Sequence, residues 1–268
     1  MKAPAFAYAK AKSLAEAFEL IERPGAKILA GGQSLIPSLN MRLASPELLV
    51  DITGLKDLRG IDRRPTGLRI GALVTHAELQ RSDAVDQHAP LLLQAAAHIA
   101  HPAIRNRGTM GGSLALADPA AEYPACAVAL NATIVLVGRR GERRVPAAKF
   151  FKGLFETDIR PGEIVAAAEF PKVERSVFLE LARRNGDYAI VGLAGVADAS
   201  GRRIAYLGVG ATPVFAEQAS RAVSLNAALE MLGRDLQPSA DLYNSSATKL
   251  HLAKVLLSRA WTTLSKPH

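Results

Sequence analysis

Short apolar runs and amphipathic stretches alternate along this chain. Strands are predicted at residues 6–8, 26–30 and 48–52, where apolar residues come in brief groups bounded by Pro, Gly or Ser. Between the first two, Leu14, Phe18 and Ile21 share one helical face behind Ser13 and Glu16, which have the S-x-x-E capping spacing; Pro24-Gly25 stops that helix. A shorter helix is predicted over 37–43. This strand–helix–strand–loop–helix–strand order suits a small mixed subdomain.

The pattern then changes. Residues 57–75 read as a hairpin turning at Arg64-Pro65-Thr66-Gly67, and Thr75 caps a helix beginning at His76. An alanine-rich apolar helix is predicted over 90–100, ended by His101-Pro102. A strand at 131–138 and a return strand from Arg143 enclose the charged turn Arg139-Arg140-Gly141-Glu142. Phe150, Phe151, Leu154 and Phe155 are expected in the core, and 163–171 is a last strand closed by Pro171. Beyond it come strands at 176–182, 190–197 and 204–209, then helices over 213–232 and 240–264. The expected fold is therefore α+β. Its first domain, 1–172, has subdomains of about 1–55 and 56–172; its second, 173–268, is a smaller antiparallel sheet with helices.

Composition narrows the function classes. The chain has 268 residues, 49% hydrophobic and 22% charged, a soluble profile with no apolar run long enough for a membrane span. Its first residues carry no apolar leader, which predicts a cytoplasmic location. With one cysteine, Cys126, the chain forms no internal disulfide and builds no multi-cysteine zinc or iron–sulfur site; its apolar surroundings mark an inert buried thiol. The net charge is +8, but the basic residues are spread and form no aromatic-interleaved stripe, so nucleic acid is not the expected partner. An anionic dinucleotide and acidic partner subunits use that charge better. His98 and His101 stand three apart without a placed third ligand, so packing or capping is expected of them rather than metal binding.

Candidate chemistry concentrates in two loops, Ala30-Gly31-Gly32-Gln33-Ser34-Leu35 and Thr109-Met110-Gly111-Gly112-Ser113. Glycine admits tight turns and close approach, and successive amides in such turns form an anion site. Two such loops suggest a pyrophosphate clamp; taken singly, each also reads as a plain tight turn. Neither G-x-G-x-x-G nor G-x-x-x-x-G-K-[ST] is present, which disfavours a Rossmann site and excludes a P-loop. Arg105 and Arg107 flank the second loop and suit phosphate or a salt bridge equally. Asp118 and Glu122 follow it, a pair fit for acid–base work or for accepting hydrogen bonds from sugar hydroxyls.

These loops carry a resemblance, together with L-V-D-I at 49–52, I-G-A-L-V-T at 70–75, I-R-N-R-G-T at 104–109, A-D-P-A-A-E at 117–122 and R-R-N-G-D-Y-A at 183–189. The chain resembles the FAD-binding medium subunit of molybdenum hydroxylases of the carbon monoxide dehydrogenase type, with the xanthine dehydrogenase flavin domain a more distant relative. The resemblance spans nearly the whole chain and weakens after about Pro213. It implies non-covalent FAD bound by Ala30, Gly31, Gly32, Gln33, Ser34 and Leu35 of the first loop and by Thr109, Met110, Gly111, Gly112 and Ser113 of the second. The pyrophosphate would be held by loop amides and by the Ser34, Thr109 and Ser113 hydroxyls. Asp118 and, more strongly, Glu122 would face the cofactor, and Tyr188 would lie at the flavin ring or else in a domain interface. Gln33 stands where close relatives often have His, and Leu116 replaces a residue that is usually polar. The implied partners are a small iron–sulfur subunit and a large molybdopterin subunit, as a dimer of heterotrimers, and those groups would reside on the partners. The implied function passes electrons from the clusters through FAD to an external acceptor, with no substrate-cleaving residues in this chain. A stand-alone FAD oxidoreductase and a nucleotide-binding or assembly subunit without redox activity are the alternatives.

Overall fold

A computed structural model describes residues 2–265. The chain opens with β1 (Ala7–Lys10), α1 (Leu14–Ile21), β2 (Ala26–Leu29), α2 (Leu35–Asn40) and β3 (Leu48–Asp51), the strands forming a parallel sheet in the order β1-β3-β2. Ser13 caps α1 by accepting from the Glu16 amide at 3.2 Å. The Glu16 carboxylate turns back to the Lys12 amide instead of the Ser13 amide. Leu14, Phe18 and Ile21 pack on the core of this subdomain, as their spacing predicts.

The second part begins with the hairpin β4 (Ile61–Arg64) and β5 (Gly67–Gly71). Five short helices follow: α3 (His76–Gln80), α4 (Asp83–His88), α5 (Pro90–Ala96), α6 (Pro102–Arg105) and α7 (Met110–Leu116). Then come α8 (Glu122–Ala129), β6 (Thr133–Gly138), β7 (Gly141–Pro146), α9 (Ala147–Phe150), β8 (Phe151–Gly153), β9 (Glu156–Thr157) and β10 (Ile164–Pro171). A five-stranded antiparallel sheet runs β4-β5-β10-β6-β7, so the strand last in sequence sits at its centre. The sheet is covered on both faces, and the period of two sorts its residues: Ile134 and Leu136 face the main core, Val135 the first subdomain.

The C-terminal part has β11 (Arg175–Leu181), β12 (Val191–Asp198), β13 (Gly201–Leu207) and β14 (Val214–Phe215) in one antiparallel sheet, with α10 (Glu217–Arg221), α11 (Leu225–Asp235) and α12 (Ser246–Ser265). One face of this sheet packs on α10–α12. The other, through Phe178, Ala194, Val196, Ala205 and Leu207, joins the core of the first domain. Helix α8 lies between the two sheets with Tyr123 to Ala129 all buried, as a helix apolar all round must be. Arg203 of β13 donates to the last carbonyls of α8, Val128 and Ala129, both at 2.9 Å, where a cation also suits the helix dipole.

Five expectations are corrected. The helix predicted over 213–232 is a strand and two helices, broken where Ala222 is extended and Ser224 starts a new helix by accepting from the Ala227 amide. Asp235 caps the start of α10 through the Gln218 and Ala219 amides. The last helix begins at Ser246, not at 240, because the Asp241 carboxylate holds the Tyr243 and Asn244 amides in a turn. The helix over 90–100 stops at Ala96 and that over 37–43 lies at Leu35–Asn40. Finally, Phe150 and Phe151 are buried in T-shaped contact, but Leu154 and Phe155 project from the β8–β9 turn, 62% and 55% exposed.

Candidate functional site

The first glycine loop leaves the half-buried Ala30 at the end of β2 and enters α2 at Leu35. Gly32 has φ +73°, a left-handed turn that costs glycine little. Gly31 is needed for another reason. A Cβ there would lie 2.9 Å from the Arg107 carbonyl carbon and 3.0 Å from Gly108 Cα, so the two loops touch backbone to backbone at this point. Gln33 donates from Nε2 to the Gly31 carbonyl at 3.1 Å and braces the turn. The Gly32 carbonyl accepts from Ile36, while the Gly32, Gln33 and Ser34 amides find no acceptor among the described residues. Together with the exposed Ser34 hydroxyl they form a donor-rich concavity.

The second loop works differently from its expectation. Its amides are already used: Met110 donates to Val74 at 2.9 Å, Gly111 to Ala72 at 2.8 Å, Gly112 to Thr109 Oγ1 at 3.1 Å and Ser113 to the Thr109 carbonyl at 3.0 Å. Gly111 is a packing glycine, since a Cβ would meet the Ala72 backbone at 2.8 Å. Met110 is wholly buried. What this loop offers a ligand is the Thr109 and half-buried Ser113 hydroxyls and a fixed wall, not a row of amides. The His76 amide ties Gly108 to α3 at 2.9 Å.

From there α7 runs seven residues, roughly 10 Å, to a left-handed stop at Ala117. Asp118 follows and accepts from the Ala120 amide at 2.9 Å, leading into Glu122 at the first turn of α8. Burial pushes Asp118 above the usual carboxylate range. Glu122 is pushed up to about 8 by burial first, then by Glu180 and Asp118, against the opposing pull of its own helix amide. Tyr188 is 77% exposed, yet its pKa is raised by desolvation of the hydroxyl end and by the Asp118 and Glu122 carboxylates. The Tyr188 hydroxyl thus feels both carboxylates although its ring is largely in solvent. Gly186, at φ +84°, lays its loop against the Ala100 carbonyl, and the Gly208 amide donates to Pro119. Leu116, apolar and half-buried, lies in the last turn of α7.

Other candidates take structural roles. Arg105 donates to the Ile99 and Ala100 carbonyls at 2.8 and 2.9 Å, while Arg107 is exposed and contributes its backbone to the contact with Gly31. His98 packs on Phe178 at 5.3 Å and His101 is exposed. No group of metal-binding side chains occurs among the described residues. Cys126 is buried, and its thiol is held well above its ordinary pKa by that burial. A groove of about 690 Å³ on the five-stranded sheet, lined by Arg64, Arg69, Arg144 and Glu169 among others, contains none of the loop residues.

Sequence reasoning missed Glu180. It lies on β11, is half-buried, and has an Oε2 that is buried without a hydrogen-bond partner. Burial pushes its pKa up to about 7. The signal available was a lone acid inside the apolar run Val177-Phe178-Leu179-Glu180-Leu181.

Residues 4–173 match the family model of the FAD binding domain in molybdopterin dehydrogenase, and residues 176–264 match that of the CO dehydrogenase flavoprotein C-terminal domain. The chain is 38% identical to the 6-hydroxypseudooxynicotine dehydrogenase complex subunit alpha of Paenarthrobacter nicotinovorans, over 99% of this chain and 95% of that one. It is 36% identical to the glyceraldehyde dehydrogenase medium chain of Sulfolobus acidocaldarius, over 97% and 99%. Its fold superposes on a carbon monoxide dehydrogenase structure from Hydrogenophaga pseudoflava with a TM-score of 0.94 and 35% identity, covering 98% of each chain. Two matched domains in this order, covering nearly the whole chain, and relatives aligned along its full length agree: the chain belongs to the FAD-binding medium-subunit family of molybdenum hydroxylases, the flavoprotein subunits of multi-subunit oxidoreductases.

Proposed function

We propose that this chain binds FAD non-covalently and passes electrons from the iron–sulfur clusters of a small partner subunit to an external acceptor. A large molybdopterin subunit would complete the complex as a dimer of heterotrimers in the cytoplasm. The observation that carries this reading is the first loop, whose free Gly32, Gln33 and Ser34 amides open beside a backbone contact that only glycine at position 31 permits.

The residues present fit that cofactor. The first-loop amides and the Ser34 hydroxyl would hold one side of the pyrophosphate; the Thr109 and Ser113 hydroxyls would reach it from the other. Ala30, Leu35 and Gly112 would form the walls that set the width of the cleft, with Met110 and Gly111 packed behind them as its support. Asp118 and Glu122 would bind sugar-chain hydroxyls, and Tyr188 would cover the ring at the domain mouth. With no histidine in either loop, no covalent link forms there. When bound, FAD supplies redox chemistry that none of these side chains offers. The protein's own work is to bind, orient and shield. The direct test is an absorption spectrum of the purified chain with and without added FAD, followed by heat release and identification of the cofactor. A stoichiometric flavin supports the reading; no flavin binding, even with partner subunits present, removes it.

A further inference from the structure

Gly208 stands where two segments of the candidate site meet. It follows β13 at φ +77°, and its amide donates at 2.9 Å to the carbonyl of Pro119, the residue after Asp118. On its other side, a Cβ at 208 would lie 2.6 Å from the Ile190 carbonyl oxygen and 3.3 Å from that of Ala189, the residue after Tyr188. One glycine thus joins the Asp118 turn to the end of the Tyr188 loop. It lies one residue beyond the last β12–β13 pair, Gly192 with Leu207, so the sheet ladder does not fix it.

What fixes it comes from the other side of the C-terminal domain. The Gly208 carbonyl accepts from Lys249 Nζ of α12 at 3.3 Å. Lys249 is the only buried Lys or Arg among the described residues. A buried ammonium is costly unless it is paired and hydrogen-bonded. Its helix does not account for it: Lys249 lies near the start of α12, where the dipole favours anions, and Ser245 already caps that end through the Thr248 amide at 3.1 Å.

Asp241 supplies the partner. Its Oδ1 accepts from the Tyr243 and Asn244 amides, both at 2.8 Å, and its Oδ2 pairs with Lys249 Nζ at 2.9 Å. The Lys249 ammonium first, then the two amides, hold the Asp241 carboxyl below the usual carboxylate range. The same turn carries Tyr243, whose ring lies under the Arg183 guanidinium at 4.7 Å. The 241–244 turn therefore reaches the Tyr188 loop twice: at its start through Tyr243 and Arg183, and at its end through Lys249 and Gly208.

We propose that Lys249, fixed by Asp241, is a positioning residue for the cofactor site: through the Gly208 carbonyl it holds the Asp118 turn and the Tyr188 loop in register. A hydrogen bond from a charged donor is shorter and stronger than a neutral one, which suits a residue that must fix a backbone node. Its part in FAD binding rests on the FAD reading; its part in joining the two segments does not.

The experiment compares the full chain with Lys249→Met, Lys249→Arg and Asp241→Asn. Amide hydrogen exchange without FAD is followed by mass spectrometry over residues 117–122, 183–190 and 205–210, and FAD Kd by fluorescence titration. Methionine fills the space without donating. Lys249→Met should speed exchange in these segments while the first subdomain keeps wild-type rates, and should weaken FAD about tenfold. The visible circular dichroism of the bound flavin should change with it. Lys249→Arg, which keeps the charge and the donors, should return all of these readouts toward wild type. Asp241→Asn should shift them as Lys249→Met does, by less. Unchanged exchange in Lys249→Met overturns the proposal, and so does a rise spread evenly over the chain, the mark of a merely stabilising residue. Altered exchange with wild-type Kd and dichroism removes Lys249 from the support of the cofactor. Altered exchange in a chain that binds no FAD, wild type included, keeps the junction and sinks the FAD reading instead. Should Lys249→Met not fold, Asp241→Asn at the exposed rim decides: faster exchange in the same segments supports the proposal, and wild-type rates refute it.

Discussion

A methyl group at position 31 would push against the Arg107 carbonyl and Gly108 Cα, both backbone, so neither neighbour can rotate away. Gly31→Ala is expected to part the two loops and abolish FAD binding while the core, to which Gly31 itself does not belong, stays folded; equilibrium dialysis beside a melting curve checks both halves. Glu122→Ala is expected to weaken FAD by about 1–3 kcal/mol, roughly 5- to 150-fold in Kd. An unchanged Kd would remove Glu122 from the site. At this level the sequence was unevenly readable. The glycine pairs stood out because glycine is a backbone signal in itself. That Gly31 serves loop contact, Gly32 a positive φ and Gly111 packing on Ala72 was not readable, because each depends on a segment distant in sequence. Glu180 was missed for a related reason. Between Leu179 and Leu181 an acid reads as the solvent side of a half-exposed strand, and only the packing of α5 against β11 shows otherwise.

Strands and capped helices were legible where local chemistry decides them. Thr75 and Glu78 form the full capping box that starts α3, and the hairpins turn where Gly67 and Gly141 take positive φ. The stretch after Pro213 was not legible, because its apolar residues keep a helical spacing through a break imposed by tertiary caps: Ser224 on α11 and Asp235 reaching back to α10. Leu154 and Phe155 failed for the opposite reason. Their hydrophobicity suggested core, but a two-stranded hairpin this short leaves its tip in solvent. Phe155 holds φ +55° there, an unfavourable angle for a bulky side chain. Phe155→Gly is accordingly expected to change stability by less than about 1 kcal/mol, in the stabilising direction, since relief of the left-handed strain offsets the glycine's greater unfolded-state entropy. A chemical denaturation midpoint lower than wild type by more than that would show that the side chain packs on something.

The two domains share a core. Phe178, Ala194, Val196, Ala205 and Leu207 of the C-terminal sheet complete the cluster around α8, and Arg203 caps that helix. A fragment ending at residue 172 is therefore expected to lack a cooperative melting transition, with the full chain unfolding in one; calorimetry of both tests this, and a sharp transition in the fragment would show the domains to be separable. The two-domain α+β plan could be read from the change of period along the chain, but a core that crosses the seam could not, because apolar residues on both faces of a strand do not say which neighbour they meet. The position of β10 has a further consequence. It is the middle strand of its sheet and the last of that sheet to leave the ribosome. Until it emerges, the hairpins β4–β5 and β6–β7 each present an open edge, and the Ala72 amide, beside the carbonyl that anchors Gly111, lacks its Ala166 partner. During synthesis the contact between the two glycine loops is thus assembled late: the glycines are made early, but the frame that holds them together waits for the arrival of a single central strand.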